Sequence, residues 1–147
     1  MGTNTFVGQK IHVRLESWGR LGESTAWIDD RLTFVFGGIP GEEVLVEIID
    51  QRRKFLYGKV VEVLVPSPYR IKSPCHYFGA CTGCQWQHIE YNYQLQLKRD
   101  AVLDALKRVG GFTTPAVSLT LPSPDHYGYR NHARFTVGHE GSLGFVN

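Results

Sequence analysis

Apolar and polar residues alternate through residues 9–65 in sets of three: Ile11, Val13 and Leu15; Leu32, Phe34 and Phe36; Val44, Val46 and Ile48; Val61, Val63 and Val65. A two-residue period belongs to half-buried strands, whose successive side chains point to opposite faces. Turn signals punctuate the sets at Trp18-Gly-Arg-Leu-Gly22, Asp29-Asp30, Gly37-Gly-Ile-Pro-Gly41 and Asp50-Gln51. Four or five short strands with such breaks predict a small OB-like β-barrel, closed or nearly closed, because closure removes exposed strand edges.

Pro66-Ser-Pro68 ends this run, since proline cannot continue a central strand. Beyond a cysteine-bearing loop, the spacing of Tyr91, Leu95, Val102, Leu106 and Val109 predicts a helix over residues 90–109, closed by Gly110-Gly111. Lys98, Arg99, Lys107 and Arg108 lie mostly off that stripe and read as a solvated face. After Pro122-Ser-Pro124, residues 133–137 and 143–146 read as two strands around Gly138-His-Glu-Gly141. The fold class is therefore mainly β with one helix (α+β). Its expected parts are a β-barrel over residues 1–66, a metal-binding loop and helix over 67–112, and the start of a β domain over 113–147. Because the last residue, Asn147, falls in strand-like sequence, a piece of a longer protein is expected.

Composition narrows the class. No uninterrupted apolar run is long enough to span a bilayer, and the first residues lack a secretory signal, so a cytoplasmic protein without a membrane partner is expected. The formal charge is +2, with eight basic and nine acidic groups in residues 1–65 against eight and five in the remainder. A mildly basic second half is compatible with nucleic acid but far from a polycationic binder.

The three cysteines, Cys75, Cys81 and Cys84, all fall in Ser73-Pro-Cys-His-Tyr-Phe-Gly-Ala-Cys-Thr-Gly-Cys-Gln-Trp-Gln-His88. An odd number clustered in one loop argues against a disulfide framework and for metal ligation in a reducing compartment. A CxxC directs two sulfurs at one centre, and the third thiol closes a face of the site. Two metals fit this spacing. A [4Fe-4S] cluster takes one thiolate per iron and needs a fourth ligand from elsewhere, whereas zinc would use Cys81, Cys84 and His88 with Cys75 or His76. For His88 alone, packing in the loop is the ordinary role.

Arg52, Arg53 and Lys54 precede Phe55 and Tyr57, with Lys59 following. Cations for phosphates interleaved with rings for bases make a single-stranded RNA surface, unless Phe55 and Tyr57 face the core and the charges decorate a turn. Trp18 and Trp27 read as core fillers. Arg130 and Arg134, which flank Asn131 and His132, alternate onto one strand face with His132 and are candidates for phosphate or base contacts.

Four motifs in order resemble the N-terminal part of the RNA uracil-5-methyltransferase family, whose bacterial members methylate ribosomal RNA. Gly38-Ile-Pro-Gly-Glu-Glu-Val44 with Arg53-Lys-Phe-Leu-Tyr-Gly-Lys-Val-Val-Glu-Val63 resembles a TRAM domain. Pro74-Cys-His-Tyr-Phe-Gly-Ala-Cys-Thr-Gly-Cys-Gln-Trp-Gln-His-Ile89 resembles the iron-sulfur loop, and Tyr93-Gln-Leu-Gln-Leu-Lys98 the helix after it. Tyr127-Gly-Tyr-Arg-Asn-His-Ala-Arg-Phe135 resembles the start of the central β domain. The resemblance implies an RNA partner, ribosomal and not DNA. It implies that Cys75, Cys81 and Cys84 hold three corners of a [4Fe-4S] cluster, and it favours RNA contacts at residues 52–59 and at Arg130. It places the S-adenosylmethionine site, the catalytic cysteine, the general base and the fourth cluster ligand beyond Asn147, so this chain alone is expected not to methylate.

Overall fold

The computed structural model describes residues 5–81 and 83–145, which divide into two compact units, Met1–Lys72 and Ser73–Asn147. The first unit is a six-stranded sheet of β1 (Lys10–Arg14), β2 (Ser17–Trp18), β3 (Ser24–Ile28), β4 (Arg31–Phe36), β5 (Glu43–Gln51) and β6 (Phe55–Val65). Its order is β1-β5-β6-β4-β3-β2, antiparallel throughout except for the parallel β4–β6 pair. The two edge strands are consecutive in the chain. At the bend between them the Leu15 N–H donates to Glu42 O (2.9 Å) and the Leu15 carbonyl accepts from Gly41 N–H (2.8 Å), while Glu16 N–H donates to Thr25 O (2.8 Å). The sheet is thus curled on itself like a barrel, although its hydrogen-bonded order remains open at β1 and β2.

Inside the curl, Leu15, Ala26, Ile28, Val35, Val44, Val46, Ile48 and Leu56 form one buried cluster, with Ile11, Val13, Val60 and Val63 packed against it. The β1 and β5 patterns behave as their alternation predicts. The β4 pattern does not: Thr33 and Val35 are buried, Leu32 and Phe34 are half-buried, and Phe36 is exposed. Register explains the inversion. The tight turn at Asp29-Asp30, with positive φ at both residues, pairs Ile28 with Arg31, so inward-facing Ala26 lies opposite Thr33 and Leu32 falls on the outer face beside Trp27. In β6, likewise, Leu56 and Gly58 face inward at its start, while Val61 and Val65 at its far end are exposed.

A buried ion pair fastens the segment after β6 to this sheet. Glu42, fully buried, accepts Arg70 Nε at Oε1 (2.5 Å) and Arg70 Nη2 at Oε2 (2.6 Å), together with the backbone N–H of Ser67 (3.0 Å) and of Ile39 (2.9 Å). Arg70 Nη2 also donates to Gly37 O (2.8 Å). Burial pushes the Glu42 carboxyl up, but the Arg70 guanidinium and the two backbone N–H groups outweigh it and hold the group below the usual carboxylate range. The same turn needs glycine at residue 38, where a Cβ would collide with Leu15 and crowd the Ser24 hydroxyl.

The second unit contains the cysteine loop, α1 (Tyr91–Arg108) and a two-residue ribbon of β7 (Thr136–Val137) with β8 (Leu143–Gly144). Glu90 caps α1 by accepting from Asn92 N–H (3.0 Å) and Tyr93 N–H (2.9 Å). The helix packs mainly through its first turns. Leu97, outside the predicted stripe, is buried, whereas Val102 and Val109 within it are exposed. Gln94 Nε2 donates to Trp86 O (3.1 Å) and Ile89 O (2.8 Å), tying the helix to the loop before it. Arg99, expected on a solvated face, is half-buried and donates to Val117 O (3.0 Å). The ribbon turns where predicted but is shorter than residues 133–137 and 143–146, and Val146 lies outside the described residues.

Candidate RNA-facing surface and cysteine pocket

Arg52, Arg53 and Lys54 form the exposed tip of the β5–β6 hairpin, closed by a bond from Arg52 N–H to Phe55 O (2.8 Å). Arg52 is paired with Asp50 (2.9 Å) and Lys59 with Glu47 (3.3 Å). Arg53 and Lys54 have no carboxylate partner among the described residues. An exposed cation without a counter-charge keeps its full field for an incoming phosphate.

Phe55 and Tyr57 do not face the core. Their inward neighbours Leu56 and Gly58 do, and strand alternation puts both rings on the outer face, where they meet Phe34. The Phe34 and Tyr57 rings are stacked at 5.6 Å, and Phe34 and Phe55 are tilted at 5.7 Å. Trp27, expected in the core, is 59% exposed on β3. The signal for this was present: Ala26 and Ile28 alternate around Trp27, and if they face inward it must face out.

Arg130, Asn131 and Arg134 belong to the second unit and sit in exposed chain outside regular structure, before β7 begins at Thr136. A shared strand face for Arg130, His132 and Arg134 is therefore not formed, because pairing with β8 reaches only Thr136 and Val137. The Arg130 guanidinium lies 5.9 Å from the ring centroid of Tyr129.

The three cysteines are free thiols, and together with Phe78 and Gln87 they line one small recess. The loop wraps tightly through bonds from Phe78 N–H to Cys75 O (3.1 Å) and from Cys81 N–H to Tyr77 O (2.9 Å), with Gly79 at φ +93°. Two of the sulfurs already accept hydrogen bonds: Cys81 Sγ from Gly83 N–H (3.3 Å) and Cys84 Sγ from Gln87 Nε2 (3.2 Å). Ser73 Oγ donates to Gln87 Oε1 (2.8 Å), which fixes the orientation of that amide. The thiols are not drawn into a finished ligand group; among the described residues no three metal-binding side chains are so assembled. His88 is buried and its ring packs 5.2 Å from that of Phe78, and it is not among the residues lining the recess.

Residues 4–61 match the TRAM domain model. An RNA methyltransferase of Nostoc sp., described as uncharacterized, is 39% identical over 130 residues, which is 88% of this chain and 28% of the relative. The 23S rRNA (uracil(1939)-C(5))-methyltransferase of Methylococcus capsulatus is 36% identical over 126 residues, 86% of this chain and 28% of the relative. Among solved structures, the tRNA (uracil-54, C5)-methyltransferase of Pyrococcus abyssi, in complex with S-adenosyl-L-homocysteine, superposes with a TM-score of 0.56 at 26% identity, covering 91% of this chain and 28% of that one. The chain thus carries a TRAM domain, is related over most of its length to RNA methyltransferases, and spans under a third of their length. Among the described residues, no helix is long and apolar enough to cross a membrane.

Proposed function

We propose, on the premise of a TRAM domain followed by a cysteine segment in relatives of RNA methyltransferases, that this chain is the RNA-recognition and iron-sulfur-holding portion of an S-adenosylmethionine-dependent rRNA uracil-5-methyltransferase. The observation that carries the reading is the continuity of the match: relatives named for RNA methylation align through the barrel, the cysteine loop and the helix, not through the TRAM domain alone. In this reading Arg53 and Lys54 meet RNA phosphates, with Arg52 and Lys59 released from their carboxylates as RNA approaches. Arg130, Asn131 and Arg134 supply a second set of polar contacts from the other unit.

The cysteine pocket fits an iron-sulfur cluster: three thiols face one recess, and N–H donors already aim at two of the sulfurs, the kind of contact that tunes thiolate ligands. Cys75, Cys81 and Cys84 hold the cluster, and a fourth ligand comes from outside these three. When bound, the cluster supplies a cross-link for the loop and a redox-active iron centre. In such enzymes S-adenosylmethionine would supply the methyl group to C5 of uracil, a cysteine thiolate adding to C6 to activate C5 and being expelled again when a base removes the C5 proton. No residue of this chain is assigned to those steps.

Anaerobic purification with a visible spectrum and iron, sulfide and zinc analysis tests the metal half of the reading. Brown protein with stoichiometric iron and sulfide is expected. Colourless protein with one zinc replaces it with a TRAM-type RNA-binding module carrying structural zinc. Fluorescence anisotropy with ribosomal RNA fragments tests the other half, and no binding at low salt removes RNA recognition.

A further inference from the structure

The outer face of the TRAM sheet carries a built array of rings that the basic hairpin does not account for. Cross-strand register sets Trp27 of β3 opposite Leu32 of β4, and Leu32 opposite Phe55 of β6, making one row across three strands. The next row sets Phe34 opposite Tyr57, and the one after it Phe36 opposite Lys59. Residues paired this way project from the same face, and those two apart along a strand follow at roughly 7 Å. Trp27, Phe36 and Phe55 are 59%, 42% and 39% exposed. Clustered rings open to water on a sheet whose opposite face is a complete core are not needed for packing.

What this face receives is set by its border. The parallel β4–β6 pairing brings the start of β6, and with it Arg52, Arg53 and Lys54, to the same end of the sheet as the Trp27–Leu32–Phe55 row. The carboxylates at that end are engaged at two positions: Asp29 by Thr5 and Arg31, and Asp50 by Arg52. Asp30 is the exposed exception. A polyanion carrying flat apolar groups at intervals satisfies cations and rings together, and single-stranded RNA is such a molecule. Duplex RNA presents the phosphates but hides the base faces.

We propose that Trp27, Phe34, Phe55 and Tyr57 form a base-stacking platform for unpaired nucleotides, with Trp27 as its outermost ring and the 52–54 tip holding the phosphates leading into it. This rests on the RNA-binding reading and adds to it Trp27 and Phe34, and with them the role of β3 and β4. Selectivity at the platform is for unpaired over paired RNA, not for base identity, because every base offers a π-face.

The test uses the whole chain, with a fluorescent oligouridylate of about ten nucleotides, the matching duplex, and both read by anisotropy against salt. Stacking on one ring contributes enough that Trp27→Ala weakens oligouridylate binding about tenfold without changing the salt slope. Trp27→Phe, which keeps a ring, restores most of the affinity and guards against a folding artefact. Tryptophan emission of the unmodified chain is quenched by the oligonucleotide, and the part of that quench due to Trp27 is lost in Trp27→Phe. If the chain binds RNA but Trp27→Ala is unchanged, or duplex binds as tightly as single strand, the platform is wrong and the RNA reading stands. If the unmodified chain binds neither RNA, the RNA reading falls and takes the platform with it.

Discussion

The two units are held by different means. Residues of Met1–Lys72 close an apolar core of eight buried side chains and lock its edge with the Glu42–Arg70 pair. In Ser73–Asn147 the buried side chains among the described residues are His88, Ile89 and Leu97, while Phe112, Leu119, Leu121, Val137 and Leu143 stand exposed. A core that small orders few residues against their conformational entropy, and a cross-link such as the proposed cluster would offset part of that cost. The difference teaches where stability comes from in each unit: packing in the first, hydrogen-bonded turns in the second, to which the proposed cluster would add a cross-link.

The sharpest way to break the comparison is at Glu42. Glu42→Ala leaves the Arg70 guanidinium and two backbone N–H groups unmatched, and it should cost the first unit roughly 3–5 kcal/mol in urea unfolding while metal content of the second is unchanged. Loss of metal on that substitution would mean that the two units fold as one. The acid limb gives a gentler version. Because the folded Glu42 carboxyl is held below its ordinary value, its contribution is complete above that value and disappears as pH falls through the lower folded one. The urea midpoint of the unmodified chain should therefore fall on acidification below about pH 4.5, and Glu42→Gln should flatten that fall.

Replacing Cys81 and Cys84 together by serine attacks the other side. Bound metal should drop from stoichiometric to none, and hydrogen exchange should accelerate through the cysteine loop and the start of α1 with protection in β5 unchanged. Faster exchange in β5 would contradict separate means of stabilisation. Arg53→Ala with Lys54→Ala should leave both folds intact and reduce the logarithmic salt slope of single-strand RNA binding by about 1.4, since each lost phosphate contact in single strands removes about 0.7. An unchanged slope removes the hairpin tip from the interface. Least consequential is Asp104→Ala, which cuts the exposed pair with Arg108 (3.0 Å) on α1 and should shift stability by only about 0.3–0.5 kcal/mol.

Much of this was legible along the chain. The β1 and β5 alternations, the Asp29-Asp30 turn, the helix with its glycine stop and the thiols of one pocket all follow from local chemistry: period, turn residues and spacing. The second half was read less well at its ends. Residues 133–137 read as a strand, but with only Leu143 and Gly144 opposite them the ladder begins at Thr136. Glu42 gave no warning of burial, because its partner Arg70 is 28 residues away and is brought back only when β6 has crossed the sheet.

The sequence by itself determined that there would be strands, where they turn, and that Cys75, Cys81 and Cys84 share one loop, because those properties depend on residues near one another in the chain. Tertiary structure alone decided which way β4 faces. Leu32, Phe34 and Phe36 and the intervening Thr33 and Val35 make equally good alternations, and only pairing with Ala26 on one side and Leu56 on the other turns the aromatic set outward. A strand's period is local, but its phase relative to the core is fixed by register with its neighbours, and a one-residue slip would have exchanged the core for the ring-bearing surface.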